Sequence, residues 1–339
     1  MTIDTKGNLD PKIDEVTPEA PSSPEHREGA SMWIWDDAGR FGLPRIAVEA
    51  LGATWETSRT TTLNFGEPDG RLLLSWDAAP PHPATDEAGR PRVLGAGALK
   101  LQCVEPFEQW RLTFDGKAAE TSANDMIAGR GPSGAELGDA ANVSLAIEIE
   151  AQMVAPPWFQ GTQNPEGQFV VGEHRFEQLF TANGTVSIDG ATTPFDGGGL
   201  RIHRKGGNRS DYSDWYGHSW QSAKFPSGRA FGYIHYRPRP DGSVKYHEGW
   251  VLDGGEVLPA RVVETPWMKA LEPRGEEVSF TLRTPKGDYR IESETHLSTF
   301  FAEREMSPGV TFPPLQQGIA RYRWDGEEVY GMIERSARL

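Results

Sequence analysis

Cysteine is almost absent from the chain: Cys103 is the only one among 339 residues. An internal disulfide, a thiolate metal cluster and dithiol redox chemistry are therefore excluded, and a reducing, cytoplasmic compartment is expected. Positive charge is scarce as well. Lys and Arg number 34 against 49 Asp and Glu, a net charge of −15, so neither a nucleic acid nor an anionic membrane is an expected partner. Apolar runs of roughly 18 residues, the length needed to span a bilayer, are missing. The opening MTIDTKGNLDPKIDEV has neither the basic start nor the apolar stretch of a signal peptide. Amphipathic helical patterns are few, with Arg45–Leu51 and Trp267–Leu271 the short candidates, and no alternation of strands and helices occurs.

What the chain does have is 38 Gly and 26 Pro beside 11 Trp and 15 Phe. Turn formers mixed with aromatic and β-branched residues predict many short strands joined by tight turns, an all-β protein. The dipeptides Asp69-Gly70, Asp115-Gly116, Asn183-Gly184, Asp189-Gly190, Asp241-Gly242 and Asp325-Gly326 read as hairpin turns. Stretches such as Arg71–Trp76, Leu99–Cys103, Val143–Gln152, Gly217–Ala223, Ala230–Tyr236 and Ile319–Trp324 alternate as strands do. Their number is about twice what one eight-stranded barrel needs. Residues 1–31 are polar and Pro-rich and read as a flexible leader. A first β domain is expected over 32–165 and a second over 166–339, the break being set by the Pro- and Gly-rich text around Ala155–Gly167; the C-terminal strand is allowed to return to the first domain.

Three motif matches fail on context. Gly129–Gly134 fits G-x-G-x-x-G, but no strand precedes it and Pro132 lies inside it, so it reads as a loop. Gly217-His218-Ser219-Trp220-Gln221 departs from the nucleophile elbow G-x-S-x-G at its last position and continues as a strand. His174-x-x-Glu177 would put its two side chains on opposite faces of a strand, and no metal site is expected. The stretch from Gly197 to Trp250 is different in kind: it gathers four of the eight histidines with Tyr, Trp, Asp and Glu. Strand spacing puts Tyr216, His218, Trp220 and Ser222 on one face, and Phe231, Tyr233 and His235 on one face of the next strand. Such a set is either a core whose polar tips find local partners or a pocket, mostly apolar with a few convergent ionisable groups.

Several segments resemble the AttH / carotenoid 1,2-hydratase (hydroxyneurosporene synthase) superfamily. They are Glu105-Pro106 through Trp110-Arg111-Leu112 to Asp115-Gly116, His174-Arg175-Phe176-Glu177-Gln178, Gly184–Gly190, Gly199-x-Arg201-x-His203, Gly217-His218-Ser219-Trp220 and Tyr330-Gly331-Met332-Ile333-Glu334. The resemblance implies two lipocalin-like (calycin-type) antiparallel β-barrels in tandem, with a site for a hydrophobic small molecule between or within them. It also implies cofactor-free chemistry in which a protein acid protonates an alkene and aromatic walls tolerate the cation. Here Arg204–Tyr212 intervenes between Arg201-x-His203 and Ser219-Trp220, so either His203 or His218 holds the family's position.

The expected function is that of a cofactor-independent lyase, hydratase or isomerase acting on an aromatic or terpenoid-like molecule by general acid–base catalysis. Asp211 or Asp214 is the expected acid. His203 and His218 serve as base or orienting group, and Tyr233, Tyr246 and Glu248 relay protons. Trp215, Tyr216, Trp220, Trp250, Arg201 and Glu177 contact the substrate. The alternatives are a non-catalytic carrier of an apolar ligand, since fold alone does not separate the two, and an interaction scaffold with a solid interior and an exposed apolar patch. Homodimers are allowed.

Overall fold

The computed structural model describes residues 4–160, 174–206, 215–244, 246–307 and 310–338. The first half contributes β1 (Arg27–Asp36), β2 (Gly42–Leu51), β3 (Arg59–Gly66), β4 (Arg71–Ala79), β5 (Val93–Ala96), β6 (Leu99–Glu105), β7 (Gln109–Ser122), β8 (Ala141–Met153), β9 (Trp158–Phe159), β10 (His174–Ile188) and β11 (Ala191–Gly206). The second half contributes β12 (Gly217–Lys224), β13 (Ala230–Tyr236), β14 (His247–Asp253), β15 (Glu256–Val262), β16 (Phe280–Thr284), β17 (Gly287–Phe301), β18 (Arg304–Ser307), β19 (Val310–Phe312), β20 (Leu315–Trp324) and β21 (Glu327–Ala337). All pairings are antiparallel, and helix is confined to short turns such as α1 (Ala123–Ile127) and α2 (Glu136–Asp139).

The second half closes as an eight-stranded barrel in the order β12-β13-β14-β15-β16-β17-β20-β21. The first half runs β4-β3-β2-β1-β11-β10-β8-β7, and Arg71–Leu74 of β4 pair with Ala119–Ser122 of β7 to join the ends. Closure leaves neither ring an open edge. Each wall alternates. Leu101, Cys103, Trp110, Leu112, Ile147 and Ile149 fill the first interior, while Phe231, Val251, Phe280, Tyr322 and Ile333 fill the second. A third apolar cluster belongs to neither interior. Trp33, Trp35, Leu179, Leu200 and Ile202 from the outer wall of barrel one meet Trp220, Ile234, Tyr236, Trp250 and Met332 from the outer wall of barrel two. This seam joins the barrels.

The chain passes from barrel one to barrel two between Gly206 and Gly217 rather than at 165/166. β10 bonds to β8 and β11 bonds to β1, so the ring of barrel one is incomplete without residues 174–206, and the Pro- and Gly-rich text near 155–167 is a connection within that barrel. The C-terminal β21 stays in barrel two between β12 and β20. The polar leader also differs from expectation. β1 starts at Arg27, and the strap before it is anchored: Val16 sits in the core of barrel one and its amide donates to Pro91 O at 2.7 Å. Arg45–Leu51 is part of β2, and Trp267–Leu271 is not helical.

Two of the expected turns are strand interior. Asp115-Gly116 lies within β7 and Asn183-Gly184 within β10. Gly184 is demanded by close approach instead, since a Cβ there would stand 1.9 Å from Glu148 O. Asp189-Gly190 and Asp325-Gly326 are true hairpin turns, both residues of each pair having positive φ.

Candidate functional site

The sequence-predicted residues divide among three places. β11 turns Arg201 and His203 into barrel one, because both lie on the face that pairs with Gln178 and Phe176. There the strap delivers Asp14, fully buried, onto Arg201: Nη1 to Oδ1 is 2.6 Å and Nη2 to Oδ2 is 2.8 Å. Trp110 Nε1 and the Phe107 amide donate to the same carboxylate at 3.1 and 2.7 Å. His203 sits between Asp14, at 3.3 Å from Nδ1, and Glu28, at 3.0 Å from Nε2. Burial pushes Asp14 and Glu28 up, but the cationic and hydrogen-bonding neighbours outweigh it: Arg201 and His203 hold Asp14 far below the usual carboxylate range, and His203 with Lys205 lowers Glu28. Each group is paired, and Arg201 and His203 tie the strap to the interior of barrel one.

Tyr233 points into barrel two. Its hydroxyl meets Ser219 Oγ at 2.9 Å and Gln221 Nε2 at 2.8 Å, and Tyr322 donates to Gln221 Oε1 at 2.9 Å. Burial pushes the Tyr233 hydroxyl up and keeps it protonated. The two aromatic faces read from strand spacing are both real but lie on opposite sides of one wall: Tyr233 and His235 inside, His218 and Trp220 outside. Tyr216 stands at the rim, half-buried under the Arg338 guanidinium, 5.0 Å from its ring centre. Asp211 and Asp214 lie outside the described residues.

The seam takes the rest. Glu177 is on the outward face of β10, two residues from Arg175, whose Nη1 donates to Glu177 Oε1 at 2.8 Å. From the opposite barrel Trp220 Nε1 donates to Glu177 Oε2 at 3.1 Å, and the Arg175 guanidinium stacks 5.5 Å over the Trp220 ring. Glu248, two positions from Trp250 and so on the same outward face of β14, accepts the Tyr246 hydroxyl at 2.8 Å. Burial raises the Glu177 carboxyl, with the charge of Glu248 adding to the rise, against the pull of Arg175 and the Trp220 hydrogen bond. Burial and Glu248 likewise push the Tyr246 hydroxyl well up. Two buried carboxyl groups thus interact across an aromatic seam.

Beside them runs a hydrogen-bond chain that crosses from barrel two to barrel one. Trp215 Nε1 donates to Ser336 Oγ at 3.1 Å, and Ser336 Oγ meets His218 Nδ1 at 2.6 Å. His218 Nε2 meets Glu334 Oε1 at 3.1 Å, Gln317 donates to Glu334 Oε2 at 2.5 Å, and Asn64 of barrel one donates to Gln317 Oε1 at 3.3 Å. Burial raises Glu334, yet the His218 hydrogen bond and charge prevail and leave it lowered. Both ring nitrogens of His218 are engaged, which suits an orienting group.

Reading by sequence missed Asp14, Glu28, Arg175, Trp33, Glu334 and Ser336. Arg175 was detectable as the i, i+2 neighbour of Glu177 on a strand, and Trp33 by alternation with Trp35; Asp14 carried no local signal. Among the described residues no three His, Cys, Asp or Glu side chains converge as metal ligands would, and no helix is long and apolar enough to cross a membrane.

Several solved structures share the fold of this chain. A protein named as an AttH from Nitrosomonas europaea superposes with a TM-score of 0.60 at 14% identity, covering 96% of this chain and 99% of its own. CghA gives 0.60 at 9% identity over 93% and 89%, and has also been solved with Sch210972, where the TM-score is 0.59. Kievitone hydratase from Nectria haematococca gives 0.50 at 11% identity over 99% and 96%. At these identities the likeness is one of fold. No curated protein matches the sequence. Over residues 11–338 the chain matches a family model, and it therefore belongs to the family described as a domain of unknown function, DUF7064.

Proposed function

We propose that the seam between the barrels is an active site for a hydrophobic small molecule, and that the protein is a hydratase- or isomerase-type enzyme working by acid–base catalysis. The observation that carries this reading is Glu177: a buried carboxyl, raised in pKa, facing an aromatic wall and a second carboxyl held by a tyrosine. The fold shared with a kievitone hydratase and with CghA, solved with Sch210972, agrees with it.

In this reading Glu177 is the acid. It gives its proton to one carbon of an alkene, and the faces of Trp220 and Trp250 shelter the resulting cation, as aromatic faces attract positive charge. Water adds to the cation, and its surplus proton passes to Glu248 or back to Glu177, so that alkene plus water gives alcohol. Loss of a proton instead of water addition gives an isomerised alkene. Tyr246 holds Glu248 in place, Arg175 and Trp220 hold Glu177, and the chain from Trp215 through His218 to Asn64 fixes the relation of the barrels. Asp211 and Asp214 stay as candidate contributors from the 207–214 segment.

The test is incubation of the full chain with a panel of apolar aromatic and isoprenoid alkenes, followed by mass spectrometry for the gain of one water or a shift in retention at constant mass. Glu177→Gln should retain fold and ligand binding while losing turnover. Retention of compounds without conversion by the unaltered protein would make it a carrier.

A further inference from the structure

The seam leaves two donors unused. Trp220 Nε1 is spent on Glu177 and Trp215 Nε1 on Ser336, but Trp33 Nε1 of barrel one and Trp250 Nε1 of barrel two are buried with no hydrogen-bond partner among the described residues. Both residues are deep, 2% and 4% exposed, and both belong to the apolar cluster that joins the barrels. Trp33 packs edge-on against Trp220, with ring centres 4.8 Å apart, next to the Glu177 carboxyl. Trp250 lies over Gly232, where a Cβ would stand 2.7 Å from Nε1. The small residue is what lets the indole lie flat on the wall.

Buried N–H groups are ordinarily paired, and an unpaired one at a functional site calls for an explanation. An indole N–H is a donor and nothing else. Whatever satisfies it must bring an acceptor, and a cation or a hydrocarbon cannot. We infer that Trp33 and Trp250 are specificity-determining residues which select an oxygenated apolar substrate, carrying carbonyl or comparable acceptor oxygens toward each barrel, over a pure hydrocarbon of the same shape. The inference rests on the reading of the seam as the ligand site. The carboxyl groups of Glu177 and Glu248 then act on the carbon skeleton between two anchored oxygens, which fixes the alkene relative to the acid.

A matched pair of probes separates the inference from the reading beneath it. Anthraquinone carries carbonyl groups on opposite edges of a flat three-ring body, and anthracene is the flat hydrocarbon with C–H groups in the same places. Equilibrium dialysis against the full chain should show anthraquinone binding about three- to tenfold more tightly for each indole hydrogen bond formed. The indole N–H NMR resonances of Trp33 and Trp250, identified by their loss in Trp33→Phe and Trp250→Phe, should shift downfield with anthraquinone and not with anthracene. Trp33→Phe/Trp250→Phe together should bind the two probes equally, whereas Trp55→Phe, an indole outside the seam, should leave the preference unchanged. Equal binding of both probes to the unaltered protein overturns the inference and spares the site. Binding of neither overturns the site, and the inference with it. The probe pair needs no variant, so poor folding of a Trp variant does not shield the claim.

Discussion

Two buried polar clusters sit within one molecule and reach opposite outcomes. Inside barrel one, Asp14, Arg201, His203 and Glu28 form a set in which each charge has a counter-charge and each carboxylate is held low. At the seam, Glu177 is raised despite its arginine, a second carboxyl stands nearby, and two indole N–H groups have no partner among the described residues. Pairing lets the first cluster act as a rivet. The second, with a raised carboxyl beside unpaired donors, is the one that the proposed function assigns to proton transfer and ligand binding.

The largest effect should come from breaking the rivet. Arg201→Met leaves Asp14 buried without its cation, and removal of one partner of a buried pair costs about 3–5 kcal/mol. Urea denaturation should show a loss of that size, and limited proteolysis should newly cut residues 5–25. The matching change at the seam, Arg175→Met, should cost less, because Glu177 is already raised toward its neutral form. Equal losses at the two sites would erase the distinction between them.

Glu177→Gln sharpens the comparison from the other side. Turnover of whatever alkene the panel identifies should fall about 10²- to 10⁴-fold, the range of a general acid. The sign of its pH effect also follows. A carboxyl whose folded pKa lies above its unfolded value binds the extra proton in the folded state, so stability falls as pH rises from the unfolded toward the folded pKa and is flat above it. Asp14 and Glu28 act oppositely, giving stability that is present at neutral pH and lost as pH falls below the ordinary carboxylate range. The unaltered protein should thus gain from Glu177 on mild acidification, and Glu177→Gln should lack that gain.

How much of this was legible in the chain depends on the range of the interaction concerned. Strand identity was readable because alternation and turn residues act over a few positions, as at Arg71–Trp76 and Asp325-Gly326, whereas the two barrels came from the resemblance to a known superfamily. Gly184 and Gly116 deceived because a glycine needed for close packing looks like a glycine needed for a turn. The site was half legible. Glu177, Trp220, Tyr246, Glu248 and Trp250 meet at the seam, while Tyr233, Arg201 and His203 point into the barrels, since parity on a strand gives shared faces without saying which face is inside. Asp14 was invisible, its partner lying 187 positions away.

A moderate effect is expected inside barrel two. His235 and His247 stack with ring centres 3.7 Å apart, and burial first, then neighbouring positive charge, lowers them to about 3 and about 4. Their unfolded forms take up protons near the ordinary value of about 6.5, so the unfolded state gains protons first. Barrel two should lose stability as pH falls from that value toward 4. His235→Phe should flatten this part of the melting curve against pH. A slope unchanged in that variant would assign the loss elsewhere.

The smallest effect concerns the contact that ties the clusters' two barrels together. Asn64 is the one residue of barrel one in the chain that ends at Trp215, and it donates to Gln317 at 3.3 Å, a long bond. Asn64→Ala should therefore cost only about 1 kcal/mol. Its interest lies in coupling. If the chain acts as a unit, combining Asn64→Ala with Glu334→Gln should cost less than the sum of the single changes, because both interrupt the same series of donors and Gln317 is the shared partner. Strict additivity would mean that Glu334 is held by His218 alone, and that the barrels are positioned by the Trp33 and Trp220 contact rather than by hydrogen bonds.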